Sequence, residues 1–152
     1  MRKFIAAVSL LALTVIAPIT ATSQEDVIKA RQDFMKSNGA AMGVIGKMVK
    51  GEQTFDAATA MEALNQIHQN SEKFDAQAFF PAGSFEGDTA ALPKIAEDME
   101  GFTARAETWK KAAADAVAAQ PQDVAALQVQ MAAIGPACGG CHEAYRGKKP
   151  GS

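Results

Sequence analysis

The chain has 152 residues, with 15 Lys and Arg against 17 Asp and Glu and a formal net charge of −2. That balance offers no basic surface for nucleic acid or anionic lipid. Its two cysteines, three positions apart, cannot staple a fold of this size.

The chain opens with the positive Met1-Arg2-Lys3 and an uncharged apolar run of 14 residues, Phe4 to Ala17, which Pro18 breaks. The run is short of the about 20 residues of a membrane span. The small residues Ala21-Thr22-Ser23 stand where a signal peptidase cuts. Residues 1–23 are therefore predicted to be a signal peptide. Residues 24–152 form an exported, periplasmic domain with no stable membrane span after cleavage. Without Arg2 and Lys3, 13 basic residues face 17 acidic ones, a net charge of −4.

The mature sequence is rich in Ala, Gln, Lys, Glu and Met, and no segment alternates with period two, so helix is expected throughout. The first helix runs from about Glu25 to Lys50, with Ile28, Arg31, Met35, Met42, Ile45 and Val49 on its inward stripe and Gly51 as its stop. Gly39, Gly43 and Gly46 interrupt it at about 1 kcal/mol each relative to Ala, for which close approach of backbone or of a bound group is the expected reason. The second helix starts at Asp56, a good N-cap, with Ala57, Ala60, Leu64, Ile67, Ser71 and Phe74 on one face and His68 at its surface. An irregular link, Asp75 to Leu92, is expected to cross from one end of the molecule to the other.

The third helix begins near Pro93 and repeats Ile95, Met99, Phe102, Ala106, Trp109, Ala113 and Ala116. The fourth follows Pro121 and aligns Val124, Leu127, Met131, Ile134, Cys138, Cys141 and Tyr145, with Pro136 expected to kink or interrupt it. Four amphipathic helices and no sheet predict an all-α fold, an antiparallel four-helix bundle.

Both cysteines lie on the inward stripe of the last helix, with His142 directly behind them, so all three are expected to face the same interior space. Cys-x-x-Cys-His is the attachment signature of a c-type haem. Two thiols one helical turn apart can reach the two vinyl groups on one porphyrin edge, and the next residue offers its imidazole to the iron. A thioredoxin-type dithiol needs a βαβ setting that is missing here. A zinc site needs four ligands, and beyond these three the chain holds only the distant His68. Inert buried cysteines are the remaining alternative. The predicted cofactor is one haem c, held by thioethers to Cys138 and Cys141 and ligated by His142.

The ending "CGGCHEAYRGKK" and the first-helix run "RQDFMKSNGAAMGVIGKMVKGE" resemble the class II c-type cytochromes, the cytochrome c′ family, over essentially the whole mature chain. The resemblance implies a four-helix bundle with haem on the last helix, and it singles out Met35, four residues after Arg31. At that place the high-spin members carry a non-bonding residue, and the low-spin branch carries a methionine ligand followed by Lys-x-Asn-Gly. Met35-Lys36-Ser37-Asn38-Gly39 is similar to the low-spin branch, so Met35 is expected as the second axial ligand, with core filling as the alternative. Arg31 on the inward stripe needs an anion, a haem propionate or a surface carboxylate. By resemblance, Arg146 sits near the proximal face or a propionate. Trp109 and Tyr145 either pack beside the porphyrin or fill the core.

No Ser/His/Asp set or phosphate loop is visible. The expected function is single-electron transfer between redox partner proteins, without substrate turnover. The alternative is a five-coordinate haem binding nitric oxide or carbon monoxide. The resemblance leaves both monomer and homodimer open.

Overall fold

The computed structural model describes residues 23–148, so the expected signal peptide lies outside the described residues except for Ser23. Four long helices carry the fold: α1 (Gln24–Val49), α2 (Ala57–Lys73), α5 (Met99–Ala119) and α6 (Val124–Tyr145). Two single-turn helices, α3 (Ala76–Phe79) and α4 (Lys94–Glu97), lie between them. The long helices pack in a ring, α1 on α2, α2 on α5, α5 on α6 and α6 back on α1, which is the predicted antiparallel bundle.

Each long helix begins at a side-chain cap that satisfies an otherwise orphaned backbone N–H. Ser23 and Asp26 form a reciprocal capping box on α1. Asp56 accepts from Thr59 N at 2.7 Å, Asp98 from Gly101 N at 3.0 Å and Asp123 from Ala126 N at 2.8 Å. The inward stripes meet in a core of Ala41, Ile45, Met48, Ala60, Leu64, Ile67, Trp109, Ala113, Leu127 and Ile134.

Three expectations need correcting. The link after α2 does not cross the molecule. Phe74 at its start and Phe102 just beyond its end have ring centroids 6.0 Å apart. Tyr145 at the end of α6 is 5.1 Å from Phe102, and Arg31 near the start of α1 bonds Thr89 in the link. The link therefore leaves and returns at one end of the bundle, folded over it. The third helix does not run from Pro93: Asp98, at φ −135° and ψ 54°, stops α4 and caps α5. Its carboxylate sits where a Cβ on residue 101 would lie 2.5 Å from Oδ2, so Gly101 is what lets the cap close. Pro136 does not interrupt α6, which continues through it with the ring exposed.

Helix α6 is long and apolar enough to meet the length and hydropathy of a membrane span, with mean hydropathy 1.3. Its Leu127, Ile134 and Tyr145 are buried against the other helices, and 11% of the apolar window is buried.

Candidate haem site

The last two turns of α6 carry Cys138, Cys141 and His142, and their placement depends on how that end is held. Leu92 N donates to Tyr145 O at 3.0 Å and Gly147 N to Ala90 O at 2.8 Å, an isolated antiparallel bridge that stitches the chain end to the link. A Cβ at residue 147 would press on Leu92 Cδ2 at 2.9 Å. Tyr145 Oη donates to Asp98 Oδ2 at 2.6 Å, and the Lys94 and Arg105 cations lie 5.5 and 6.0 Å from the Tyr145 ring centroid. Arg105 Nη1 also donates to Gly140 O at 3.1 Å, inside the Cys-Gly-Gly-Cys segment.

Within that frame both cysteines are half-buried free thiols. Burial pushes both thiols up, and the nearby Arg105 charge only partly offsets this at Cys141. That disfavours the thiolate through which disulfide exchange proceeds. His142, the third residue of the motif, is exposed. It stands about 40° round the helix from Cys138 and about 100° from Cys141, on the shoulder of the stripe the two thiols share. Partial desolvation first, then the Arg146 charge, lowers its pKa, so the ring is neutral and free to ligate. Among the described residues no three His, Cys, Asp or Glu side chains converge as an ion site. Two thiols on one stripe with a neutral imidazole beside them fit an extended planar cofactor better than a point charge.

A second observation agrees with a cofactor beside this core. The indole of Trp109 is 9% exposed, packed in the cluster that Cys138 and Phe34 flank, and its Nε1–H has no acceptor. A buried donor without a partner is costly, and an acidic group on a bound cofactor would satisfy it.

The other predicted residues fall in three places. Met35 is 38% exposed on α1, beside half-buried Phe34, whereas the sequence put it on an inward stripe. Arg31, one turn earlier, is 4% exposed. Its Nη1 donates to Phe79 O at 3.3 Å and Ser84 Oγ at 2.9 Å; its Nη2 donates to the Ser84 carbonyl and to Thr89 Oγ1 at 2.9 Å. Phe80 and Phe85 face the same guanidinium at 5.1 and 5.9 Å. Arg146 is exposed at the end of α6, where its backbone N–H bonds His142 O at 3.0 Å.

Gly39, Gly43 and Gly46 have no protein atom within 4 Å of an added Cβ, so approach of backbone does not explain them. His68 is half-buried rather than on the surface, with Nδ1 unpartnered. Asp98, Arg105, Ser84 and Thr89 were not singled out from the sequence; only Asp98, a good capping residue ahead of a helix, carried a local signal.

The fold and this site together define a c-type cytochrome whose haem is fastened to the last helix of a four-helix bundle. Residues 26–146 match the family described as Cytochrome C′, and the chain belongs to it. A cytochrome c′ of Rhodopseudomonas palustris is 40% identical over 140 residues, covering 90% of this chain and 92% of its own. A solved structure of cytochrome c′ from that organism has a TM-score of 0.75 at 38% identity, over 82% of this chain and 98% of its own. A cytochrome c-556 of Agrobacterium tumefaciens is 39% identical over 122 residues, covering 80% of this chain and 98% of its own. A solved cytochrome c′ with ligand-controlled dimer dissociation has a TM-score of 0.76 at 26% identity, over 85% of this chain and 100% of its own. The protein is thus an electron-carrying haem protein of this family, and its cofactor is a covalent haem c.

Proposed function

We propose that this protein is a periplasmic carrier of single electrons in which His142 and Met35 are the two axial ligands. The iron supplies a one-electron couple, and a histidine–methionine pair favours a high potential. Met35 carries this reading: a soft thioether donor stands one turn after buried Arg31, on the helix that packs against α6. The sequence that follows it, Lys36-Ser37-Asn38-Gly39, is the pattern of the low-spin branch. The similarity to a cytochrome c-556 supports the same assignment.

The chain's own residues then divide the work. Cys138 and Cys141 anchor the cofactor by thioethers. His142 ligates from the open edge as a neutral imidazole, and the Tyr145–Asp98 bond holds the turn that bears it. Arg146 supplies positive charge for a propionate, whereas the donors of buried Arg31 are taken up by Phe79, Ser84 and Thr89, neutral acceptors in place of the anion expected for it. Redox proteins are the partners, reached through the exposed edge of α6 around His142. Delivery to the periplasm rests on the apolar run Phe4 to Ala17 and the small residues before Gln24. No substrate is turned over.

One observation favours a second reading. The similarity to a cytochrome c′ is as strong as the similarity to a cytochrome c-556. On that reading the iron is five-coordinate and binds nitric oxide or carbon monoxide. Visible spectra of the purified protein, with and without carbon monoxide, separate the two. Sharp reduced bands indifferent to the gas, replaced in Met35→Ala by a high-spin, gas-sensitive spectrum, are the expected result. A wild-type spectrum that shifts with carbon monoxide and is unaltered by Met35→Ala removes the methionine ligand.

A further inference from the structure

Between α1 and α2 lies a polar cluster that neither haem attachment nor core packing requires. Asn70 on α2 is 6% exposed. Its Nδ2 donates to Ser37 Oγ at 3.1 Å and Asn38 Oδ1 at 3.2 Å on α1, and its Oδ1 accepts from Gln66 Nε2 at 2.9 Å. Asn38 Nδ2 in turn donates to the carbonyl of Phe34 at 3.1 Å. The chain of bonds thus runs from α2 to the residue immediately before Met35.

A buried amide is a poor way to hold two helices together, since an apolar pair of the same shape would do as well. What it adds is uniqueness, because only one rotation and register of α1 satisfies all its donors and acceptors, as a lone buried Asn does in a coiled coil. Rotation matters at this level of α1. At a side-chain radius of about 5–6 Å, a turn of about 20° moves a tip by about 2 Å, the scale of a whole coordination bond. Ser37 and Asn38, inside the segment that resembles the low-spin branch, are the residues Asn70 grips.

We propose that Asn70 is a positioning residue for the distal ligand: through Ser37 and Asn38 it fixes the rotation of α1 that presents Met35 to the iron. This rests on the reading of Met35 as a ligand. Loss of the grip lets α1 turn, raises the fraction of molecules with the sulfur off the iron, and opens that fraction to carbon monoxide.

The test uses the purified holoprotein as wild type, Met35→Ala, Asn70→Leu and the double variant Ser37→Ala/Asn38→Ala. For each, the weak far-red sulfur-to-iron band of the ferric state, carbon monoxide affinity of the ferrous state, helicity and melting temperature are measured. Expected in Asn70→Leu are wild-type helicity, a far-red band reduced by about half or more, and carbon monoxide affinity raised about tenfold, as the open fraction rises tenfold. Ser37→Ala/Asn38→Ala, with two good helix formers, is expected to do the same and decides the matter if Asn70→Leu does not fold. Adding Asn70→Leu to that variant has no further effect if all three act as one unit. A band present in wild type, absent in Met35→Ala and at full strength in the folded Asn70 and Ser37/Asn38 variants overturns this inference alone. A wild type without the band removes the methionine ligand and this inference with it.

Discussion

The hydroxyl of Tyr145 donates to Asp98 Oδ2 at 2.6 Å, tying the last turn of the haem-bearing helix to the first turn of α5. The same carboxylate caps Gly101 N, so one side chain serves both helices. The Tyr145 bond first, and the Gly101 N–H second, hold the Asp98 carboxyl below its usual range, while the carboxylate keeps the Tyr145 phenol above its own. A lowered carboxylate stabilises the fold above its unfolded pKa and loses that contribution as pH falls through the lower folded value. A raised phenol stabilises below its unfolded pKa and loses the contribution as pH rises through the higher folded value. Tyr145→Phe is therefore expected to lower the melting temperature by a constant amount between about pH 5 and 9; the difference starts to shrink near about pH 4 and near about pH 10 and closes only as pH falls past the lowered Asp98 value or rises past the raised Tyr145 value. Thermal melts of the two proteins across pH check this; a difference that widens in acid contradicts it.

Arg31 ties α1 to the link between α2 and α5. Its guanidinium is buried among neutral acceptors, and desolvation pulls its pKa down. Removing an uncompensated buried charge would by itself be favourable. The opposing effect is larger, because Phe79 O, Ser84 O, Ser84 Oγ and Thr89 Oγ1 would all lose a donor at once, and each buried acceptor left unpaired costs about 1–3 kcal/mol. With water reaching some of them, Arg31→Met is expected to lower the unfolding free energy by about 2–4 kcal/mol. Denaturant titration followed by circular dichroism measures it; a change below about 1 kcal/mol means the link does not depend on this residue.

How much of this was legible in the sequence depends on how far each interaction reaches. The stripes through Leu64, Ile67, Phe102, Ala113, Leu127 and Ile134 are local repeats, and all of these residues are buried. The caps at Asp56 and Asp123 act over three residues, and Asp56 could be read. The Cys138, Cys141, His142 motif is legible for the same reason, since one helical turn fixes the spacing of its donors. Arg31's partners lie 48 to 58 residues away, in a link whose path no periodicity describes, so the sequence could say that Arg31 was buried but not by what. Met35 and His142 are both exposed where their stripes pointed inward. A stripe gives the direction of a side chain within its helix, and how far the neighbouring helices cover that direction is decided only by their packing.

Gln120 closes α5 in the left-handed region, at φ 45° and ψ 60°, the one non-glycine among the described residues with positive φ. A side chain there crowds the following carbonyl, which is why helices favour Gly at such ends. Gln120 is exposed, and its side chain takes part in none of the core contacts. Gln120→Gly is expected to raise the unfolding free energy by about 1 kcal/mol, the relief of strain exceeding the extra entropy of the unfolded chain. Denaturant titration checks the sign, and a loss of stability would mean the left-handed turn carries no strain.

The glycines of α1 separate what the protein needs from what the cofactor needs. An added Cβ on Gly39 or Gly43 meets no protein atom within 4 Å, so on helix propensity alone each change to Ala is expected to gain about 0.5–1 kcal/mol. The two positions differ in what else they face. Gly39 stands one turn after Met35, about 40° round the helix from it, while Gly43, a further turn on, is about 80° round. Were Met35 to hold the iron, a cofactor at that level of α1 would meet a methyl group on Gly39 before one on Gly43. Gly43→Ala in the holoprotein is therefore expected to show the full gain, and Gly39→Ala to show little or none, with a shifted haem spectrum. Equal gains at both positions with unchanged spectra would mean that the cofactor does not approach α1 at Gly39, and the methionine ligand would lose its structural support.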